Sequence, residues 1–366
     1  MKSFQILGAG PAGLSAAITL AKAGYPVHIH ERYDVVGKRF QGDLQGLENW
    51  STSSNILQDL KNIGIDVNFD ATPFQTVTFT DGRSSFSKHT HEPLFYLVKR
   101  GPMSGSLDTG LQEQAKNLGV TFHYRSQLAT KDADIIATGP LRKSSTTIDK
   151  GLIFPTDLPD MAVGIFHDDY AYLGYSYLLV AQGYGCLCSV VFRDFHRLNE
   201  CFNKTVAYAQ KHYLINLDQA TAVGGTGGFS LHHPKQIGKS LLVGEAAGLQ
   251  DLLWGFGIRS ALFSGHCAVQ ALLHQKDYTK LIDNSLTPYL KASIVNRFLW
   301  EKIKFRSSPL GPYLLRLPFC VRNDFKHLYR FSFFHRLVYP IALRYIQKKY
   351  PYSVEKIEES TNGLQN

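Results

Sequence analysis

The sequence predicts an α/β protein, α+β overall, and three observations carry that expectation. A strand, a glycine-rich turn, a helix and a second strand follow one another over residues 3–31. The middle of the chain alternates apolar and polar residues in short runs bounded by turn residues. The last third has helical spacing and is dense in basic and aromatic side chains. At 366 residues the chain can form two or three domains with a sizeable core, and 44% hydrophobic with 19% charged residues is ordinary globular composition.

The first unit reads in order. Ser3–Leu7 is a short apolar strand that runs into Gly8-Ala9-Gly10-Pro11-Ala12-Gly13. An Ala- and Leu-rich helix follows over roughly Pro11–Ala23, then a turn at Gly24-Tyr25-Pro26 and a second strand that ends at Glu31. Gly8 permits the tight strand-to-helix turn, Gly10 lets a pyrophosphate approach the backbone, and Gly13 lets the helix pack on the sheet. The helix start at Pro11 and Ala12 offers N–H groups and a positive dipole end to phosphates. Glu31, eighteen residues past Gly13, can accept ribose hydroxyls. These parts in register predict a Rossmann-like dinucleotide site.

The far end of the chain indicates which dinucleotide it is. Lys239–Gly248 is an apolar strand leading into Gly244-Glu245-Ala246-Ala247-Gly248, and an acid after a glycine at a strand end can hold a ribityl chain. The helix start at Gly255-Phe256-Gly257-Ile258 can offer N–H groups to the N1/C2 edge of a flavin ring. Here the chain resembles the glutathione-reductase-type FAD flavoproteins, in the branch of p-hydroxybenzoate hydroxylase and the geranylgeranyl reductases. Three further segments match in order over about residues 1–275: Asp134–Gly139, ending in Ala137-Thr138-Gly139; Arg100 with Ser106-Leu107-Asp108 and Leu111; and Val36-Gly37-Lys38. The resemblance implies FAD near Thr138, Gly139 and Lys38, with Arg100 or Arg39 on its phosphates or adenosine and Arg32 beside the ribose acid.

The chain departs from that pattern in places. Position 245 is Glu where relatives carry Asp, and Asp251-Leu252 stands where they tend to have Asn-Pro. The hydroxylases' Asp-Gly motif for NAD(P)H has no convincing match, and the cysteine that many geranylgeranyl reductases carry after the Gly-Lys segment is replaced by Phe40-Gln41-Gly42-Asp43.

The expected organisation is an FAD-binding domain from 1–71, 100–150 and 233–275, interleaved with an antiparallel-sheet substrate domain from 72–99 and 151–232. A helical region spans 276–354, and a disordered tail 355–366. Alternation around Asp81-Gly82 predicts a hairpin, and residues 170–180 with Cys186–Phe192 predict another across Gln182–Gly185. The sheet forms a roof over the flavin in this family, which makes Tyr175, Tyr177 and Trp50 candidate substrate contacts, each also readable as a packing residue. Helix is expected near Leu107–Asn117, with strands at Val120–Tyr124 and Asp134–Ala137.

Other features carry less. The glycine run Gly224–Gly228 lacks a Lys-Ser/Thr and a following helix, so it reads as a turn rather than a phosphate loop. His89/His91 and His232/His233 have no acidic or Cys partner at ligand spacing, and no metal is expected. Cys186 and Cys188 share a strand face and read as buried small residues; five cysteines do not suggest a disulfide framework. The apolar stretch after Ser3 is read as cofactor helix rather than secretory leader, and a cytoplasmic setting is the default. One dinucleotide fingerprint implies that NAD(P)H binds only transiently as electron donor, or that a redox donor protein supplies electrons.

Residues 291–350 hold thirteen Lys/Arg against two Asp/Glu, a balance of +11 in a chain of +9. Thirteen aromatics interleave with them. No run reaches the ~18–20 apolar residues of a bilayer span. A basic face with an aromatic face fits a helix lying on an anionic membrane, at the inner face, better than it fits nucleic acid. The expected function is an FAD-dependent oxidoreductase that reduces double bonds of an isoprenoid or other lipid. The alternatives are an FAD- and NAD(P)H-dependent monooxygenase or halogenase, and a non-catalytic flavin-binding protein.

Overall fold

The computed structural model describes residues 2–140, 146–229, 234–302 and 321–350. The N-terminal unit forms as the glycines require. β1 (Phe4–Leu7) and β2 (Val27–Glu31) pair in parallel across α1 (Pro11–Lys22), with Phe4 opposite Val27. β8 (Thr121–Tyr124) joins β2, and β9 (Ile135–Ile136) joins β1. β16 (Ser240–Leu242) and β15 (Gln236–Ile237) complete a sheet of order β15-β16-β9-β1-β2-β8. α1 packs against α3 (Leu107–Asn117) and α5 (Ile258–His274). Small residues allow the close approach: a Cβ on Gly265 would stand 2.2 Å from the Ala12 carbonyl oxygen, and Ser15 Oγ donates to the Leu262 carbonyl at 2.6 Å.

The second sheet has the order β14 (Thr221–Gly227), β10 (Thr147–Pro155), β13 (Tyr184–Val191), β12 (Tyr175–Ala181), β11 (Met161–Ile165), β5 (Thr76–Thr80), β6 (Ser85–His89). It is antiparallel except where β11 meets β5. The two expected hairpins are β5–β6 and β12–β13, although the latter begins at Tyr175, because Tyr170–Gly174 is taken up by turns. One face packs on α4 (Leu198–Tyr213), where the hydroxyls of Ser176, Ser189 and Thr205 lie within 3.1 Å of one another. Along the register, Tyr175, Val190, Asp149 and Gly225 form one row and Tyr177, Cys188, Gly151 and Val223 the next, on the opposite face.

The glycine run is not a turn. Thr221–Gly227 is a strand paired with β10, and it needs glycine because a Cβ on Gly224 would come within 2.8 Å of the Asp149 carbonyl oxygen. A third sheet, β3 (Leu44–Glu48), β7 (Phe95–Lys99) and β4 (Thr72–Phe74), links the other two. After α5 the chain is helical: α6 (Tyr278–Ser285), α7 (Thr287–Lys302), then Val321–Tyr329 and Phe333–Lys349. The last helix packs along α7. There Arg297 and Glu301 are both fully buried, joined at 2.6 Å, with Lys349 and Tyr350 closing on the same carboxylate.

Candidate functional site

The dinucleotide end is built from backbone. Gly8 sits at φ +102°, and a Cβ there would meet the Ala137 carbonyl oxygen at 2.4 Å. A Cβ on Gly13 would meet Gly8 O at 2.1 Å, whereas one on Gly10 meets nothing within 4 Å. Two of the glycines are thus demanded by the protein itself, and Gly10 faces open space at the mouth of α1. That helix starts at Pro11 with Gly10 as its N-cap, and no side chain caps it. The same holds at α5, whose N-cap is Gly257. Asn55, Ser106, Asp277 and Ser332 do cap the helices that start after them. α4, which continues from a 3-10 turn, also lacks a side-chain cap. At α1 and α5 the orphan N–H groups are left for a ligand.

Glu31 is held in place at this mouth: its carboxylate accepts from Ala9 N at 2.9 Å and Tyr33 N at 3.0 Å. Its remaining lone pairs are what a ribose could use. Arg39 reaches across to Glu245 at 3.1 Å and donates to the Thr226 carbonyl. This pair ties the end of β16 to the end of β14, beside Gly139. Gly244 N donates to Ser264 Oγ at 2.9 Å, which fixes the turn before Glu245. Thr138 follows Ala137 against Gly8.

Three of the residues expected on the cofactor have partners within the chain. Arg100 is buried, with Nε and Nη2 on the Asp108 carboxylate at 2.9 and 3.0 Å and Nη1 on Gln45. It straps α3 to β3 instead of pointing at phosphates, because an arginine buried here needs a bidentate carboxylate partner. Lys38 pairs with Asp34 at 3.8 Å on the surface, and Arg32 lies over the Tyr33 ring.

The end expected to hold the flavin ring is built from side chains. Asp251 accepts from Leu253 N at 3.1 Å and Trp254 N at 2.7 Å, and its own N–H donates to the Phe256 carbonyl. That shapes the loop to Gly255, at φ +75°, and Ile258. The residue that stands in place of the relatives' Asn is therefore the pin of the loop. The Tyr175 hydroxyl donates to the Trp254 carbonyl and lies 3.2 Å from where a Gly255 Cβ would be. Tyr177 stacks beside Tyr175, and burial pushes both phenols well above their ordinary pKa. Trp50 is buried, edge-on to Phe256 and packed on Phe325 and Tyr329. In this structure it is a packing residue beneath the C-terminal helices.

Four buried or half-buried residues escaped the sequence reading: Glu48, Asp149, Tyr289 and Tyr329. Glu48 is fully buried, with neither carboxylate oxygen hydrogen-bonded, and burial pushes its pKa up to about 7 against the pull of Arg259. Asp251 is pushed up to about 6 by burial, with backbone N–H groups pulling it down. Asp149, on the roof facing Arg39, is raised to about 6 by burial. The Tyr289 and Tyr329 rings stack with centroids 4.5 Å apart, and burial pushes both phenols well above their ordinary pKa. Leu44, Gly46 and Glu48 share one face of β3, so an acid continuing an apolar face was the available signal for Glu48. Cys186 and Cys188 are buried, and burial raises both thiols, Cys186 to about 12. His89 bonds Thr76 across β5–β6. His232 and His233, and the tail 355–366, lie outside the described residues.

Residues 6–43 match the family of NAD(P)-binding Rossmann-like domains. The fold is shared with solved structures of flavin-dependent enzymes. It is similar to a geranylgeranyl bacteriochlorophyll reductase-like protein from Thermoplasma acidophilum, at 19% identity over 98% of this chain and 99% of that one, with TM-score 0.68. It is also similar to the flavin-dependent brominase Bmp2, at 14% identity over 95% and 100%, TM-score 0.64. A third likeness is to the myxobacterial chondrochloren halogenase, at 14% identity over 96% and 91%, TM-score 0.59. No curated protein matches in sequence.

Proposed function

We propose that the chain is an FAD-dependent oxidoreductase that reduces carbon–carbon double bonds of an isoprenoid or other lipid substrate. The observation that carries the cofactor is the pair of helix N-termini, at Gly10 and Gly257, left uncapped at the two ends of one site. The residues present fit the group. Gly8 to Gly13 and the start of α1 would hold the diphosphate, Glu31 the ribose, Glu245 with Arg39 the ribityl chain, and Gly255 to Ile258 the ring edge. When bound, FAD would supply hydride transfer between an electron donor and the substrate.

The chain's own groups orient the site and exclude water. Tyr175 and Asp251 fix the Trp254–Gly257 loop; Trp254, Phe256 and Tyr177 give it an apolar, aromatic lining suited to a hydrocarbon. One further acid of β3, Glu48, is fully buried, and burial raises its pKa to about 7. The likeness to a brominase and a halogenase favours one other reading, a monooxygenase or halogenase. The test is anaerobic reduction of purified protein with NADH or NADPH, followed by geranylgeranyl substrates in detergent. Saturated product identified by mass spectrometry supports the reductase. An oxygenated flavin on admission of oxygen, with hydroxylated or halogenated product instead, replaces it.

A further inference from the structure

We propose that the solvent face of the helix Phe333–Lys349 docks on an anionic lipid surface. This names the partner of the lipid-reducing site and rests on that reading for its purpose, though not for its observations. Seven large apolar side chains are exposed among the described residues, and four of them are on this helix: Phe333 at 76%, Phe334 at 53%, Leu337 at 61% and Ile341 at 63%. Their spacing puts them on one side, while His335, Ala342 and Ile346 are buried on the other. An apolar stripe of this length on an exposed helix needs a partner.

Charge selects which partner. The helix carries no Asp or Glu, and Arg336, Arg344 and Lys348 are exposed on the same side as the stripe. Apolar residues flanked by cations, on a helix lying flat against the body, are what an interfacial helix presents to acidic headgroups. No described helix is long and apolar enough to cross a membrane, so the contact is with one leaflet.

Other parts of the basic segment turn toward the body: Trp300 is half-buried edge-on to Phe166, and Lys302 lies over the Tyr345 ring. Phe298, Phe325, Tyr329 and Tyr345 likewise pack inward. Lys304, Arg306, Phe305 and Phe319 lie outside the described residues. Among the described residues, the docking face is one helix.

Cosedimentation of the full-length protein with phosphatidylcholine vesicles, with and without phosphatidylglycerol, tests this. Binding is expected to need phosphatidylglycerol and to weaken about tenfold from low to physiological salt. Leu337→Glu with Ile341→Glu, and separately Arg344→Glu with Lys348→Glu, are each expected to lose about tenfold or more. Thermal midpoints and flavin content of both variants should stay at wild-type values, since all four positions are exposed. Absence of binding to any vesicle, salt-independent binding to neutral vesicles, or undiminished binding of both variants overturns the proposal. Reduction of detergent-dispersed isoprenoids needs no vesicle, so a failure there tells against the substrate reading and leaves the docking result standing.

Discussion

The cofactor end and the C-terminal helical region make their parts of the site by opposite means. The first is backbone: glycines at 8, 10 and 13, two uncapped helix starts, and one acid held by main-chain N–H groups. The second is side chain: Phe325 and Tyr329 pack on Trp50 and Trp254, and Arg297 and Glu301 form a buried pair. Backbone sites tolerate change nowhere that a Cβ collides and freely where it does not. Side-chain sites fail by leaving a charge or a void behind.

Two glycine substitutions test the first half and carry the largest effect. Gly13→Val drives a side chain into the Gly8 carbonyl and is expected to leave no stable fold, a loss beyond about 4 kcal/mol. Gly10→Val meets only open space, so the apoprotein should keep its urea midpoint while its flavin absorbance disappears. A full flavin complement in Gly10→Val would falsify the cofactor assignment.

The second half is tested by Arg297→Ala, which strands Glu301 without its main counter-charge. Burial opposes ionisation of Glu301, and Arg297, Lys349 and Tyr350 outweigh it, holding the carboxyl at about 2. Losing the arginine should cost about 3–5 kcal/mol in equilibrium unfolding. Arg297→Ala with Glu301→Leu should recover much of that; no recovery would mean that the contacts with Leu173 and Phe192, not the charge, hold the helices.

Glu48 gives a pH signature. Its folded pKa, about 7, lies above the ordinary 4.5, so the folded state holds the proton more tightly. That contribution is complete below pH 4.5 and is lost as pH rises through about 7. The loss amounts to about 3 kcal/mol. Glu48→Gln should flatten the fall in stability between pH 5 and 8, an effect of about that size read by denaturation at stepped pH. An unchanged pH slope in stability would place the proton elsewhere.

The smallest effect belongs to Tyr175→Phe, which removes one donor from the Trp254 carbonyl. A drop of about 1 kcal/mol and a few-fold weaker FAD binding are expected, read by unfolding and by flavin fluorescence titration. No change in FAD affinity would separate the roof from the ring-edge loop.

The sequence by itself determined the parts whose chemistry is local. Gly8–Gly13, Glu31 and the Gly244–Glu245 turn are written as spacing, because strand, turn and helix there are contiguous and glycine has few substitutes at such positions. α3 and the two hairpins are legible for the same reason, since periodicity and capping residues act within a dozen residues. The glycine run at 224 misled because its reason lies across the sheet, in the Asp149 backbone. The tertiary structure alone decided where Arg100 turns, that Trp50 packs beneath the C-terminal helices, and that Glu48 has lost its solvent. Among the described residues it alone also split the C-terminal aromatics into an inward set and the exposed pair Phe333 and Phe334. Burial is a property of what packs against a residue from far along the chain, and composition does not carry that information.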